Sequence, residues 1–252
     1  MSTKSNPESA TTHFGFQEVA EAEKQTLVRE VFDSVASKYD LMNDLMSLGI
    51  HRVWKNTMLD MLRPQTGMSL VDVGGGTGDI AFRFLDRGGD SVNVVDINKD
   101  MLTQGRKRSI DQGRLDGLSW INGDAEKLPL EDSSADAYTT AFCIRNVTHI
   151  ERALEEARRV LKPGGRFMCL EFSHVTLPML EQAYDLYSFK VLPWLGEMVA
   201  DDRASYQYLA ESIRQFPDQD RFASMIKEAG LDQVSCHNLS GGIAAIHSAW
   251  RI

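Results

Sequence analysis

The residues best suited to chemistry form a run of glycines, Gly74-Gly75-Gly76-Thr77-Gly78, closed by Asp79. Glycines at this density let backbone N–H groups approach a ligand, and a helix opening behind them favours negative charge at its N-terminus. Gly74 and Gly76 supply the first two glycines of a dinucleotide fingerprint, but Asp79 fills the third place. A shifted register, Gly76-x-Gly78-x-x-Ala81, fits loosely, so the loop alone leaves a nicotinamide oxidoreductase open. An acidic side chain at Asp79 is awkward beside a pyrophosphate and suits a positive centre, a sulfonium or an α-ammonium group. Two more carboxylates follow. Asp96 stands 22 positions after Gly74, where a carboxylate accepts hydrogen bonds from both hydroxyls of a ribose. At Asp124-Ala125 an Asp side chain and the next backbone N–H can read the edge of an adenine.

These residues need elements that bring them to one edge. Short apolar runs predict strands over Ser69–Val73, Ser91–Asp96, Leu118–Ile121, Ala135–Ile144 and Arg166–Phe172. Helical spacing predicts Ile80–Leu85, Lys99–Gln112 and Ile150–Leu161 between them, the last closed by Pro163-Gly164-Gly165. Strands alternating with helices in this way imply an α/β fold with a mostly parallel sheet covered on both faces. Loop, Asp96 and Asp124 then follow the first, second and third strands in order. Leu231–Asn238 and Ile243–Trp250, joined across Gly241-Gly242, predict a C-terminal antiparallel hairpin at a sheet edge and bring the strands to seven. Ahead of the first strand, helices are expected over Val19–Ser37, with Val28, Val31, Phe32 and Val35 on one face, and from about Asn43 to Leu62. Met1 to His13 is polar and reads as a disordered tail, leaving one domain over 14–252. Between His174 and Gln215 a helical insertion interrupts the rhythm and holds Tyr184, Tyr187, Tyr206 and Tyr208.

Composition narrows the class. At 252 residues the chain buries roughly 70–75% of its extended surface, enough for a core without disulfides or metal. A net charge of −9 and a pI near 5.2 argue against a nucleic-acid partner bound through a basic face. Cys143, Cys169 and Cys236 lie far apart and no H-x-x-x-H occurs, so no metal site is expected and a reducing, cytoplasmic setting is. No stretch approaches 18 apolar residues, so no membrane span is expected.

Longer segments carry a family resemblance. Val71-Asp72-Val73-Gly74-Gly75-Gly76-Thr77-Gly78-Asp79 looks like motif I of the Rossmann-like class I S-adenosylmethionine-dependent methyltransferases. Tyr39-Asp40-Leu41-Met42-Asn43-Asp44-Leu45-Met46-Ser47-Leu48-Gly49-Ile50-His51-Arg52-Val53-Trp54-Lys55 is similar to the first signature of the ubiquinone/menaquinone biosynthesis C-methyltransferase family. Arg159–Gly165, continuing to Leu170-Glu171-Phe172-Ser173, resembles its second. Arg145-Asn146-Val147-Thr148 and Tyr208-Leu209-Ala210-Glu211-Ser212-Ile213 with Phe216-Pro217 also follow its pattern, so the likeness runs from about residue 14 to the end. It implies S-adenosyl-L-methionine as methyl donor, with Thr77, Asp96, Asp124 and Ala125 contacting it. Ala141 and Cys143 stand where bacterial members often carry Ser and Gly, so only a backbone contact at Ala141 can replace the serine's.

The implied reaction transfers a methyl group to a ring carbon of a prenylated quinol, a 2-polyprenyl-6-methoxy-1,4-benzoquinol, a demethylmenaquinol or both. In-line displacement at methyl makes positioning the main demand. Following the fourth strand, Arg145 is expected to stabilise a developing phenolate and Asn146 to orient the ring hydroxyl or a water. A guanidinium stays charged at working pH, so the proton falls to a water held by Arg145 or to Tyr39, Asp40 or His51. The prenyl tail calls for transient contact with a membrane surface, with the first two helices (about 19–62), through Leu41, Met42, Leu45, Met46 and Leu48, and the Tyr-rich insertion as an apolar channel covering the substrate site. The resemblance also admits an oligomer or a quinone-synthesis complex. The alternatives are another small-molecule or RNA methyltransferase, and a non-catalytic cofactor-binding subunit of such a complex.

Overall fold

Residues 10–35, 43–45, 47, 49–200 and 202–252 are described by the computed structural model. Its first feature departs from expectation. Thr11, Thr12 and His13, read as the end of a disordered tail, belong to a hairpin of β1 (Thr11–Phe14) and β2 (Gln17–Ala20). The cause is tertiary. Phe14 stacks on Tyr208 with centroids 4.1 Å apart, and the Phe16 N–H donates to the Glu211 carboxylate at 3.0 Å. Four-residue strands carry no legible period, and these distant partners hold the hairpin against the body.

Helix α1 (Glu21–Val35) follows, two residues later than its spacing predicts. The second predicted helix is divided. Asn43–Leu45 and Ser47 are helical, the chain turns at Gly49 (φ 79°), and α2 (His51–Leu62) starts afresh. The αL turn at Gly49, closed by its N–H on Asp44 O at 2.9 Å, ends one helix before the next begins.

Five strands then form the parallel body: β3 (Ser69–Val73), β4 (Ser91–Asp96), β5 (Leu118–Asn122), β6 (Ala135–Ala141) and β7 (Leu161–Phe172). They are linked through α3 (Asp79–Asp86), α4 (Lys99–Asp111) and α5 (Ile150–Val160). Asn98 caps α4, its side chain accepting the Asp100 and Met101 N–H groups, which fixes where the β4 turn ends. β8 (Asp232–Leu239) and β9 (Ala244–Trp250) complete a sheet of order β5-β4-β3-β6-β7-β9-β8, the last two joining as the expected antiparallel hairpin.

Alternation along the strands splits the core into two layers. Leu70, Val92, Val94, Met168 and Leu170 face α2 and α3 on one side of the sheet. Val71, Val73, Tyr138, Phe167 and Cys169 face α5 and α9 (Gln219–Glu228) on the other. The sequence reading assigns no element to the residues of α9. The insertion is helical as expected: α6 (Pro178–Leu186), a π turn (Tyr187–Val191), α7 (Leu192–Ala200) and α8 (Arg203–Gln215). No helix among the described residues is long and apolar enough to cross a membrane. Strand order reverses between β3 and β6, and a crevice at such a reversal, beyond the carboxyl ends of the strands, is where open α/β sheets bind ligands.

Candidate active site

Beyond the end of β3, Gly74 and Gly76 turn the loop with φ of 66° and 54°, the left-handed region that glycine enters without strain. A cleft of about 860 Å³, open to solvent, lies against this loop and is lined by Gly74, Gly76, Asp96, Asp124, Ala125 and Asn146. Six of the eight expected site residues therefore meet in one place. Asp96 does two things there. Its Oδ2 accepts the Gly76 N–H at 2.9 Å and its Oδ1 the Asn98 N–H at 2.8 Å, tying the glycine loop to the end of β4. Each oxygen keeps a lone pair for a ribose hydroxyl. Burial pushes its carboxyl up, opposed by these backbone donors.

Asp124 Oδ1 accepts the Glu126 N–H at 2.9 Å, and its Oδ2 accepts from Gln25 Nε2 at 2.9 Å. Gln25 comes from α1, which also sends Val28 and Arg29 to the cleft wall. The buried Lys24 anchors this helix by donating to Val147 O at 3.1 Å, and burial lowers its pKa. The sequence places the N-terminal helices, about 19–62, over the substrate site, and α1 here walls the large cleft through Gln25, Val28 and Arg29. An i, i+3, i+4 pattern marks a buried face but not what it covers.

Thr77, the seventh residue, lies elsewhere. It lines a smaller cleft on the far side of the loop with Lys55, Asp72, Asp79 and Ala141, and Gly74 borders both spaces. The carboxylate suited to a positive centre here is Asp72 and not Asp79. Asp79 is already matched, by Lys55 Nζ at 3.0 Å and Arg83 Nε at 3.1 Å, and these two cations offset its burial and hold it low, at about 2. Asp72 is 1% exposed; its Oδ1 accepts from Thr139 Oγ1 at 2.7 Å while its Oδ2 has no partner. Burial pushes the Asp72 carboxyl up to about 7. The missed signal was its place in β3: a carboxylate in an otherwise apolar strand is costly to bury unless it is hydrogen-bonded or paired.

The eighth residue, Arg145, does not line the large cleft. The chain leaves β6 through Phe142 at φ 58°, held between Trp54 and Phe172, and coils through Ile144–Asn146. This turn sends Arg145 inward, where Nη1 meets Glu171 Oε1 at 2.6 Å and Nε meets Ser212 Oγ at 3.3 Å. The two side chains of the pair are 1% and 2% exposed. Arg145 thus stands in a buried ion pair with Glu171, behind the residues that line the cleft. Asn146 is the residue that faces the cleft. Its Oδ1 accepts from Tyr208 OH at 2.9 Å, leaving the buried Nδ2 without a partner. Cys143 fills the space beside Gly74, and burial pushes its thiol up to about 12, so it acts as a small apolar side chain.

Of the residues offered as a base, Tyr39 and Asp40 lie outside the described residues. So do Leu41, Met42, Met46 and Leu48 of the expected channel. His51 is 1% exposed, its Nε2 meets Asp44 Oδ1 at 3.0 Å, and its N–H donates to Ser47 Oγ at 3.1 Å. It fastens the start of α2 and lines neither cleft. Among the described residues no group of His, Cys, Asp or Glu could hold a metal ion.

Comparison with known proteins agrees with this architecture. The model of the ubiE/COQ5 methyltransferase family matches residues 18–251. The ubiquinone/menaquinone biosynthesis C-methyltransferase UbiE of Paracoccus denitrificans is 59% identical, over 96% of this chain and 97% of its own. The human mitochondrial 2-methoxy-6-polyprenyl-1,4-benzoquinol methylase is 51% identical, over 96% of this chain and 85% of its own. Among solved structures, a SAM-dependent methyltransferase from Aquifex aeolicus superposes with a TM-score of 0.61 at 18% identity, covering 87% of this chain and 98% of that one, which speaks to the fold.

Proposed function

The chain belongs to the ubiE/COQ5 methyltransferase family, and on that premise we propose a division of labour between its two clefts in methylating a prenylated quinol. It is an S-adenosylmethionine-dependent C-methyltransferase of quinone biosynthesis. The residues present fit that donor: Asp72 offers a buried, unpartnered carboxylate oxygen on one side of the glycine loop, and Asp96 offers acceptor capacity on the other. When bound, the donor supplies an electrophilic methyl group on a sulfonium. The large cleft takes the adenosine half, with Asp96 for the ribose and Asp124-Ala125 for the adenine edge. The small cleft, with Thr77, Asp72 and the backbone at Ala141, takes the amino-acid half.

The carrying observation for the acceptor is the Asn146 amide. Tyr208 pins its carbonyl oxygen and leaves Nδ2 as a buried donor without a partner in the cleft wall. A donor placed there is matched to a ring oxygen that gains negative charge as the adjacent carbon attacks the methyl group. Arg145 is a positioning residue: paired with Glu171, it holds the Ile144–Asn146 coil from behind. Proton removal falls to water or to the segment carrying Tyr39 and Asp40. An oxidised quinone lacks the electron-rich carbon that this arrangement serves.

The tail of such an acceptor is insoluble in water. α6, the π turn and α7 turn Leu186, Val191, Trp194 and Met198 outward, exposed by 56, 36, 51 and 65%. Trp on such a face is at home in the interfacial layer of a bilayer, and this surface is our site for transient membrane contact.

Methyl transfer from labelled S-adenosylmethionine tests the reading, with short-chain demethylmenaquinol and 6-methoxy-1,4-benzoquinol acceptors offered reduced and oxidised. Transfer to reduced forms only is expected, and the ratio between rings assigns the acceptor. Equal transfer to oxidised forms, or donor binding without transfer to either ring, overturns it.

A further inference from the structure

The small cleft contains a buried cation that the division of labour above leaves without a role. Lys55 is 4% exposed and comes from α2, outside the strand–loop–helix body that carries the other cofactor-side residues. Its Nζ meets Asp79 Oδ2 at 3.0 Å and lies 5.9 Å from the centroid of the Phe142 ring. An ammonium has three N–H donors, and Asp79 takes one while drawing a second cation from Arg83. Lys55 and Arg83 share Asp79, and Lys55 keeps donors that Asp79 does not take. Across the same cleft stands Asp72 Oδ2, buried and unpartnered, close enough to Lys55 for their charges to interact. A space walled by one unsatisfied carboxylate oxygen and one ammonium with donors to spare is complementary to an α-amino acid, whose two charges are fixed on one carbon.

We propose that Lys55 binds the α-carboxylate of the donor's methionine moiety, opposite Asp72 on its α-ammonium. The assignment rests on the donor reading above and adds a residue from the N-terminal helices to it. It also gives those helices a stake in donor binding. His51 sits one turn before Lys55 on α2 and fastens Asp44 and Ser47 of the segment before it. A donor held by Lys55 is thereby held against the element that leads to the acceptor side.

The test is a cycle in which ligand and protein each lose one partner. Isothermal titration measures S-adenosylmethionine, its decarboxylated analogue, and 5′-methylthioadenosine, which lacks the amino-acid chain, against the wild type, Lys55→Met and Lys55→Arg. A charge-assisted hydrogen bond in a buried site predicts that the wild type prefers the carboxylated donor by about ten- to a hundred-fold. In Lys55→Met that preference falls to about two-fold or less, and in Lys55→Arg part of it returns. Methylthioadenosine affinity stays within about three-fold throughout, because the adenosine cleft does not use Lys55. An undiminished preference in Lys55→Met overturns the assignment. So does loss of methylthioadenosine binding in both variants, since Lys55 would then maintain the whole site. A folded wild type that binds neither nucleoside refutes the donor reading itself, a result distinct from both.

Discussion

The buried pair of Arg145 and Glu171 makes the sharpest prediction, because the sequence expected a catalytic arginine and the fold supplies an enclosed ion pair. With side chains 1% and 2% exposed, neither charge is solvated, and Nη1 and Oε1 meet at 2.6 Å. Glu171 also accepts the Phe172 N–H at 2.9 Å, and Arg145 lies 5.6 Å from the Phe172 ring centroid. Glu171→Ala takes the carboxylate from a buried guanidinium that cannot shed its proton, at a cost of about 3–5 kcal/mol. Against a total stability of about 5–15 kcal/mol that is a large share, and Tm falls by roughly 10 °C. Arg145→Ala strands the carboxylate instead, and the loss is smaller because Glu171 can take up a proton. The apolar replacement Arg145→Met with Glu171→Leu removes both charges and returns to within about 1–2 kcal/mol of the wild type. Urea unfolding followed by the fluorescence of the four tryptophans reads all three. The double variant separates fold from function: folded, with donor affinity within about three-fold, it loses on the order of a hundred-fold in kcat because Asn146 is no longer held in place. A Glu171→Ala chain within about 1 kcal/mol of the wild type refutes the burial argument. A double variant with full turnover refutes the positioning role.

Three further outcomes follow from the same geometry. Burial holds the Asp72 carboxyl near 7 without ligand, whereas an α-ammonium needs it ionised, so donor affinity rises about ten-fold per pH unit below 7 and levels above 8. Titration calorimetry in buffers of different ionisation enthalpy should show the released proton, and Asp72→Asn should flatten the profile. The same group makes folding less favourable as pH rises from about 4 to 7, because only the folded chain keeps its proton in that window. Tyr208→Phe frees the Asn146 amide and lowers kcat roughly ten-fold with donor affinity unchanged, and Asn146→Ala lowers it further; an equal loss of donor affinity in either would contradict the acceptor-side assignment. Gly74→Ala drives a methyl group into the Cys143 side chain at φ 66° and abolishes measurable donor binding, while adding Cys143→Gly restores part of it. Binding by the single variant equal to the wild type would show that Cys143 yields.

Much of the parallel body was legible because its signals are local. Ser69–Val73 and Ser91–Asp96 are apolar runs that end in a glycine turn and a capped helix start, and each falls on the predicted residues. The glycine loop, Asp96 and Asp124 could be placed in one site for the same reason. In a doubly wound sheet, position along the chain fixes which strand end a residue occupies, and all the parallel strand ends point one way. The spacing of the C-terminal hairpin was sufficient to name its two strands.

Direction of side chains was decided elsewhere. The adjacent residues Arg145 and Asn146 look equally catalytic in sequence, yet the turn through Phe142 buries one against Glu171 and presents the other to the cleft. Asp72 and Asp79 flank the same loop, and only packing shows that Lys55 and Arg83, drawn from α2 and α3, neutralise the second and leave an oxygen of the first unmatched. The N-terminal hairpin exists because Tyr208 and Glu211, nearly two hundred residues away, meet Phe14 and Phe16. Local sequence sets period, turns and caps, which are interactions among near neighbours. Which charge is paired, which donor is spare and which helix walls a cleft depend on partners brought together only when the sheet closes its two faces.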